Sequence, residues 1–154
     1  MFNTALSFGD VLLLPQYSTI SSRQEIDISV SFPQFCRAQV PIIASPMDTV
    51  CEEDMCNLLN SHGAIGTIHR YCSIKKQANM YKKGIQSGKQ VLCAVGVSGD
   101  YLERAAALYD AGARALCIDI AHGHHTLMED ALYKLRQKFD NKCNWIPPES
   151  YPSH

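Results

Sequence analysis

Four short polar clusters each stand at the end of an apolar run: residues 45–50 (SPMDTV), 69–71 (HRY), 96–100 (GVSGD) and 119–125 (DIAHGHH). Asp119 offers the most specific chemistry. A carboxylate that terminates a buried strand can accept two hydroxyl hydrogen bonds from a ribose; the alternative is an aspartate capping the next loop. Gly96 and Gly99 would let a backbone approach a ligand, although G-x-x-G is also a plain strand–helix turn. Arg70 reads as a solvated charge or as a contact to phosphate or cofactor. Met47 reads as core packing or as a flexible contact against a base. His122, His124 and His125 invite chelation, but no carboxylate or thiol at suitable spacing completes a site, so a polar loop is favoured and no metal is expected. No Ser/His/Asp triad, P-loop or H-E-x-x-H is present.

The elements that must position these clusters follow from hydrophobic pattern. Residues 41–44, 64–69, 91–97 and 115–120 are continuous apolar runs, as expected for strands covered on both faces. Each precedes a helix-like segment. Thr49 with Glu52, Asp100 with Glu103 and Thr126 with Glu129 fit capping boxes, and Ser73 fits an N-cap. The apolar faces would be Met55, Leu58 and Leu59; Ile74, Ala78, Tyr81 and Ile85; Leu102, Ala105, Ala106 and Tyr109, ended by Gly112; and Leu127, Ala131, Leu132, Leu135 and Phe139. Strand and helix alternate roughly every 25 residues, the mark of parallel βα units. In such an architecture ligands bind at the C-terminal edge of the sheet, so all four clusters fall on one face.

Residues outside this pattern divide the chain into three parts. Residues 1–40 form an N-terminal β extension, with strand-like pieces at 6–14 and 26–30 joined by a Ser-rich loop. Residues 41–139 carry the four βα units. Residues 140–154 (DNKCNWIPPESYPSH) read as a divergent tail: 143–146 could start a strand, but Pro147 and Pro148 remove ladder donors at once. Four units fit a small open sheet or half of an eightfold barrel.

The chain has 154 residues, 46% hydrophobic and 19% charged, which predicts one globular domain. A net charge of −1 argues against a nucleic-acid or anionic-membrane partner. No segment approaches the roughly 20 apolar residues of a membrane span. Residues 1–10 lack the basic start of a secretory signal. A soluble, cytoplasmic protein is the expectation. Its seven cysteines are odd in number, with no C-x-x-C, and predict buried, reduced thiols.

Residues 6–29 (LSFGDVLLLPQYSTISSRQEIDIS), 41–50 (PIIASPMDTV), 64–71 (AIGTIHRY) and 117–125 (CIDIAHGHH) together resemble the IMP dehydrogenase/GMP reductase family. The resemblance implies a partial (β/α)8 TIM barrel of about four βα units with a short N-terminal β extension. It implies nicotinamide-dependent redox chemistry, with NAD or NADP, on a purine nucleotide monophosphate (IMP or GMP), in a homo-oligomer. By position it puts Ser45 and Met47 against the purine nucleotide and Asp119 on the nicotinamide ribose, with Ile120 and Ala121 beside it. Val97 and Ser98 stand where the cofactor passes. Arg70 stands where the family often has lysine, which keeps the charge and alters its geometry. Ser22 and Arg23 resemble a pair that reaches a neighbouring subunit's cofactor in GMP reductases. SPMDTV and DIAHGHH lean toward IMP dehydrogenase, SSR toward GMP reductase.

The resemblance also implies a cysteine nucleophile on a glycine-rich loop in the second half of the barrel. None of the seven cysteines stands in such a loop, so no catalytic residue is assigned and the isolated chain is expected to be inactive. Three readings follow: the N-terminal half of a family barrel that pairs with a missing C-terminal half, a non-catalytic half-barrel module, and an unrelated small binding domain.

Overall fold

The computed structural model describes residues 6–32, 35–85, 90–140 and 143–146. A hairpin of β1 (Val30–Phe32) and β2 (Cys36–Ala38) comes first, antiparallel with Val30 opposite Ala38. The chain then alternates: α1 (Glu53–Ser61), β3 (Gly66–Ile68), α2 (Ile74–Gly84), β4 (Val91–Val95), α3 (Tyr101–Asp110), β5 (Ala115–Ile118), α4 (Thr126–Phe139) and β6 (Asn144–Ile146). Strands β3, β4, β5 and β6 lie side by side in sequence order, every pair parallel.

Period-two alternation divides each strand between two faces. Ile68, Val91, Cys93, Val95, Leu116 and Ile118 pack against Met80, Tyr81, Leu108, Leu135 and Phe139 of the helices. Ile65, Leu92 and Ala115 join a second cluster with Ala38, flanked by Phe32, Phe35 and Cys36. The β1–β2 hairpin thus covers the other face near the start of the strands, which is why the runs are apolar without a break. Gly66 is the point of closest approach. A Cβ there would stand 2.5 Å from Cys56 Sγ and 2.6 Å from Cys56 Cα, so only glycine lets α1 lie directly on β3.

The fold corrects several sequence expectations. Residues 41–44 form no full strand; Ile43 makes a single parallel bridge to Ile65, with Ala44 N–H donating to Ile65 O at 2.9 Å. Pro41 lacks a donor, and Ile42 and Ile43 lie exposed at the sheet edge, so nothing extends the pairing. Residues 6–14 are not a strand either: Phe8, Leu12 and Leu13 are 100%, 93% and 99% exposed, because no described element covers them. Of 26–30 only Val30 is in a strand. Conversely, 143–146 does continue the pattern, since Asn144–Ile146 pairs with Ala115, Leu116 and Cys117 of β5.

Three capping boxes also give way to stronger partners. Thr49 adopts a left-handed φ of 60° and does not cap α1. Asp100 binds the Arg104 side chain of the same helix instead of a backbone N–H, and His125 instead of Thr126 caps α4, its Nδ1 accepting from Leu127 N–H at 3.0 Å. Ser73 caps α2 as expected, accepting from Lys76 N–H. On α1 it is Cys56 that is buried while Leu58 is exposed, and on α4 Met128 replaces Leu127. All seven cysteines are free thiols, five of them buried. No helix among the described residues is long and apolar enough to cross a membrane.

A buried polar network holds the helices on the sheet. Gln77 Nε2 donates to Ala94 O at 2.8 Å and to Ile68 O at 3.4 Å, satisfying carbonyls of β3 and β4. Gln77 Oε1 accepts from Arg104 Nη1 at 2.9 Å, and Arg104 Nη2 donates to Cys72 O and to Asp100 Oδ2. Arg104→Met keeps the stem but leaves Gln77 Oε1 and Cys72 O without donors. It is expected to cost at least about 2 kcal/mol by urea unfolding, with Arg104→Lys recovering only part because a point charge cannot replace the fork.

Candidate functional site

The parallel register sets the ends of β4 and β5 level, Val95 opposite Ile118, while β3 ends two residues earlier, Ile68 opposite Cys93. The next residues on each strand therefore share one edge: His69, Arg70 and Tyr71 after β3, Gly96, Val97 and Ser98 after β4, Asp119, Ile120 and Ala121 after β5. Asp119 N–H donates to Val95 O at 2.8 Å, which carries the β4–β5 pairing up to the carboxylate itself.

Arg70 spans this edge. Its Nε donates to Asp119 Oδ2 at 2.8 Å, across 49 positions of sequence. Tyr71 OH reaches the same oxygen at 3.5 Å, and the guanidinium carbon lies 5.0 Å from the Tyr71 ring centre, a cation–π arrangement. The guanidinium lies against the middle strand at Gly96, where a Cβ would stand 3.5 Å from Arg70 Nη1 and 3.6 Å from Cζ, an ordinary van der Waals contact. Asp119 Oδ1 has no hydrogen-bond partner among the described residues.

His69 anchors the base of this arrangement. Its ring is buried, and Nδ1 accepts from Tyr71 N–H at 3.1 Å. That bond leaves the proton on Nε2, which donates to Glu52 Oε1 at 3.1 Å, with Asp48 Oδ1 at 3.6 Å. Lys76 Nζ donates to the same Glu52 oxygen at 3.2 Å. The His69 bond first, then Lys76, holds the Glu52 carboxyl below its ordinary range. His69 therefore ties the loop after residue 44 to the strand end that bears Arg70.

Sequence reasoning placed Arg70, Val97, Ser98, Asp119, Ile120 and Ala121 at one edge, and the structure brings them together there. Ser45 and Met47 lie on the adjoining loop, Met47 N–H donating to Ser45 O at 2.8 Å. Met47 is exposed, against the core-packing alternative. Ser22 and Arg23 stand apart, in a short helical turn (Arg23–Glu25) where Ser22 Oγ accepts from Gln24 N–H; no hydrogen bond or ion pair joins them to Arg70 or Asp119. His69 and Tyr71 were read only as part of the cluster 69–71 and Glu52 only as part of a capping box, with no site role for any of the three. Their signal was a histidine ending an apolar strand and a carboxylate in a helix's first turn, both common for structural reasons.

The histidine-rich loop serves other ends. His125 caps α4, and the His122 and His124 rings meet edge to face at 6.4 Å. A groove of about 450 Å³ lies beside it, lined by Gly123, His124, His125, Met128, Glu129 and Leu132, without Arg70 or Asp119. No group of three His, Cys, Asp or Glu suited to a metal occurs among the described residues.

Residues 5–147 match the family described as IMP dehydrogenase / GMP reductase domain. The chain is 41% identical over 78 residues to the GMP reductase of Leishmania donovani, covering 51% of this chain and 16% of that protein. It is 37% identical over 91 residues to the inosine-5'-monophosphate dehydrogenase of Nitrosopumilus maritimus, covering 59% and 19%. The crystal structure of inosine 5' monophosphate dehydrogenase from Legionella pneumophila superposes with a TM-score of 0.79 at 32% identity, over 96% of this chain and 45% of that one. The chain thus spans less than half the length of each of these proteins, and its fold is a partial (β/α)8 barrel.

The Glu52 contacts carry a pH signature. A carboxyl held low in the folded state adds stability above its unfolded pKa, and that stability is lost as pH falls through the folded value. Glu52→Gln is expected to lower the melting temperature at neutral pH, by a deficit that shrinks as the pH falls through the folded-state value and the carboxyl becomes neutral. A deficit that stays constant as the pH falls would contradict the assignment.

Proposed function

The chain belongs to the IMP dehydrogenase/GMP reductase family, and we propose that it supplies the cofactor-ribose side, and part of the nucleotide side, of an oxidoreductase site for a purine nucleotide monophosphate. The observation that carries this reading is the Arg70–Asp119 pair at the C-terminal edge of a parallel sheet, with Asp119 Oδ1 turned to no protein partner. That edge is where βα barrels bind ligands.

The residues present fit a nicotinamide dinucleotide. NAD or NADP, when bound, supplies hydride acceptance or donation. Asp119 accepts a ribose hydroxyl through Oδ1, its other oxygen being held by Arg70. Val97, Ser98, Ile120 and Ala121 line the same edge with small or apolar groups. Ser45 and Met47 contact the purine nucleotide from the neighbouring loop, and Ser22 and Arg23, away from this chain's own edge, serve a neighbouring subunit. The forward reading is dehydrogenation of IMP to XMP, favoured by SPMDTV and DIAHGHH. The alternative is reduction of GMP to IMP, favoured by the SSR segment at 21–23.

The nucleophile comes from outside these 154 residues. Burial pushes the thiols of Cys36, Cys72 and Cys93 up, and that of Cys117 up to about 11. Cys51 has the opposite shift, from its bond with Cys56, but has no exposed surface. A thiol raised or enclosed in this way is a poor nucleophile. The exposed Phe8, Leu12 and Leu13 are apolar surface that a complementary half-barrel would cover.

The test is reconstitution. The purified chain is expected to show no turnover with IMP plus NAD or GMP plus NADPH. Mixed with a separately expressed C-terminal half of a family barrel, it is expected to gain one of these activities. Asp119→Ala should then lower kcat/KM by about 10-fold or more, the loss of a hydrogen bond to a charged group. Turnover by the chain alone, or an unchanged rate with Asp119→Ala, would contradict the reading.

A further inference from the structure

Two buried thiols meet beside the loop that carries Ser45 and Met47. Cys51 directly follows that loop and Cys56 stands in α1, and their Sγ atoms lie 3.9 Å apart with neither residue exposed. Cys56 has little room to move. Its Sγ and Cα fill the space that a side chain at residue 66 would take, and its N–H donates to Glu52 O at 3.0 Å. Cys51 is held by longer bonds. Its N–H donates to Met47 O at 3.1 Å, and its carbonyl accepts from His69 N–H at 3.4 Å. Hydrogen bonds from Cys56 and from Thr67 N–H lower the Cys51 thiol from its usual range, whereas the Cys51 contact and burial raise that of Cys56. Residues 47–50 beside the pair are exposed, and Thr49 is held at a left-handed φ of 60°, an unfavourable state for a β-branched residue. Such a turn opens more readily than a strand.

From this arrangement we propose that Cys51 and Cys56 are a redox modification site: they close to a reversible disulfide, and the closure displaces the loop 45–50. An S–S bond is about 2 Å long, so the two sulfurs must give up nearly half their separation. Cys56 is seated against β3, so Cys51 makes the movement. Its backbone is bonded to Met47 and to His69, and the displacement passes to the loop on one side and to the end of β3 on the other. The oxidant is a hydroperoxide, small enough to enter where a nucleotide cannot. The Cys51 thiolate attacks one peroxide oxygen, the O–O bond breaks, and a sulfenic acid and hydroxide form. Cys56 Sγ then attacks the Cys51 sulfur. The S–S bond forms, the S–O bond breaks, and the departing hydroxide takes the Cys56 proton. With the proton that Cys51 had given up, one peroxide is reduced to two waters and two thiols are oxidised. A small dithiol reverses the step by exchange. An effect on nucleotide affinity rests on the reading of Ser45 and Met47 as nucleotide contacts; the disulfide itself does not.

The test treats the full chain with stoichiometric hydrogen peroxide, alkylates the remaining thiols and maps the fragments by mass. Trypsin cuts after Arg37 and Arg70, and the fragment 38–70 between them contains Cys51 and Cys56 and no other cysteine. A second cut after Glu52 or Glu53 separates the two unless a disulfide joins them. The treated fragment is expected to take no label and to stay joined, and dithiothreitol should restore both labels. Backbone amides of 47–50 and of His69 should shift on oxidation and return on reduction. Cys56→Ala, which leaves Cys51 without its partner, should show neither the joined fragment nor the reversible shift. Should that variant not fold, mapping and reversal on the natural chain decide alone. Oxidation that joins Cys56 to Cys93, or that is confined to the part-exposed Cys36 and Cys72, would overturn the proposal. So would a joined fragment with the loop amides unmoved. Binding of IMP, measured by calorimetry on both forms, is expected to weaken by about 10-fold on oxidation, the size of one lost hydrogen bond. A disulfide that moves the loop and leaves IMP affinity unchanged would support the redox site and overturn Ser45 and Met47 as nucleotide contacts.

Discussion

Two carbonyls of β3 and β4, at Ile68 and Ala94, converge beneath the ligand-binding edge, and one buried side chain reaches both. The Gln77 amide donates to both, and Arg104 fixes that amide from the other side. A buried carbonyl without a donor is costly, and so is a buried guanidinium without acceptors. Each group here removes the other's penalty. The result is mechanical as well as energetic: α2 and α3 are tied to each other and to the ends of two strands, so those ends cannot slide. Everything above them is built on that edge.

The site inherits its precision from this base. Arg70 and Asp119 are 49 positions apart and meet because their strands flank β4 in register. The pair needs no loop ordering of its own: His69 pins the Tyr71 backbone and Glu52 below it. A surface ion pair of this kind would add little stability by itself. Here its value is orientation. One carboxylate oxygen is committed and the other faces outward, which makes a flexible group into an aimed acceptor.

Much of this was legible in the residues. Continuous apolar runs at a steady period specify parallel strands because only strands covered on both faces tolerate such runs, and the helices and the β1–β2 hairpin provide that cover. The ends of those runs therefore had to share an edge, and Asp119, Arg70 and Val97 were found there. What was not legible involves choices between competing partners. Asp100 and Thr49 carry capping side chains, yet Arg104 claims the first and a left-handed backbone removes the second. The prolines after 146 suggested a broken ladder, but a strand can end just before a proline. The apolar stretch 6–14 reads as a strand because such residues usually find cover, and among the described residues they do not. His69 looked like many core histidines; only its two specific bonds give it a role.

The central claim is that the edge formed by β3, β4 and β5 is the ligand site, rather than the apolar groove beside α4. It is tested most directly by titrating the isotopically labelled chain with NAD and mapping the backbone amides that shift. The account predicts shifts at Arg70, at 96–98 and at 119–121. Shifts confined to 123–132, in the groove lined by Met128 and Leu132, would contradict it.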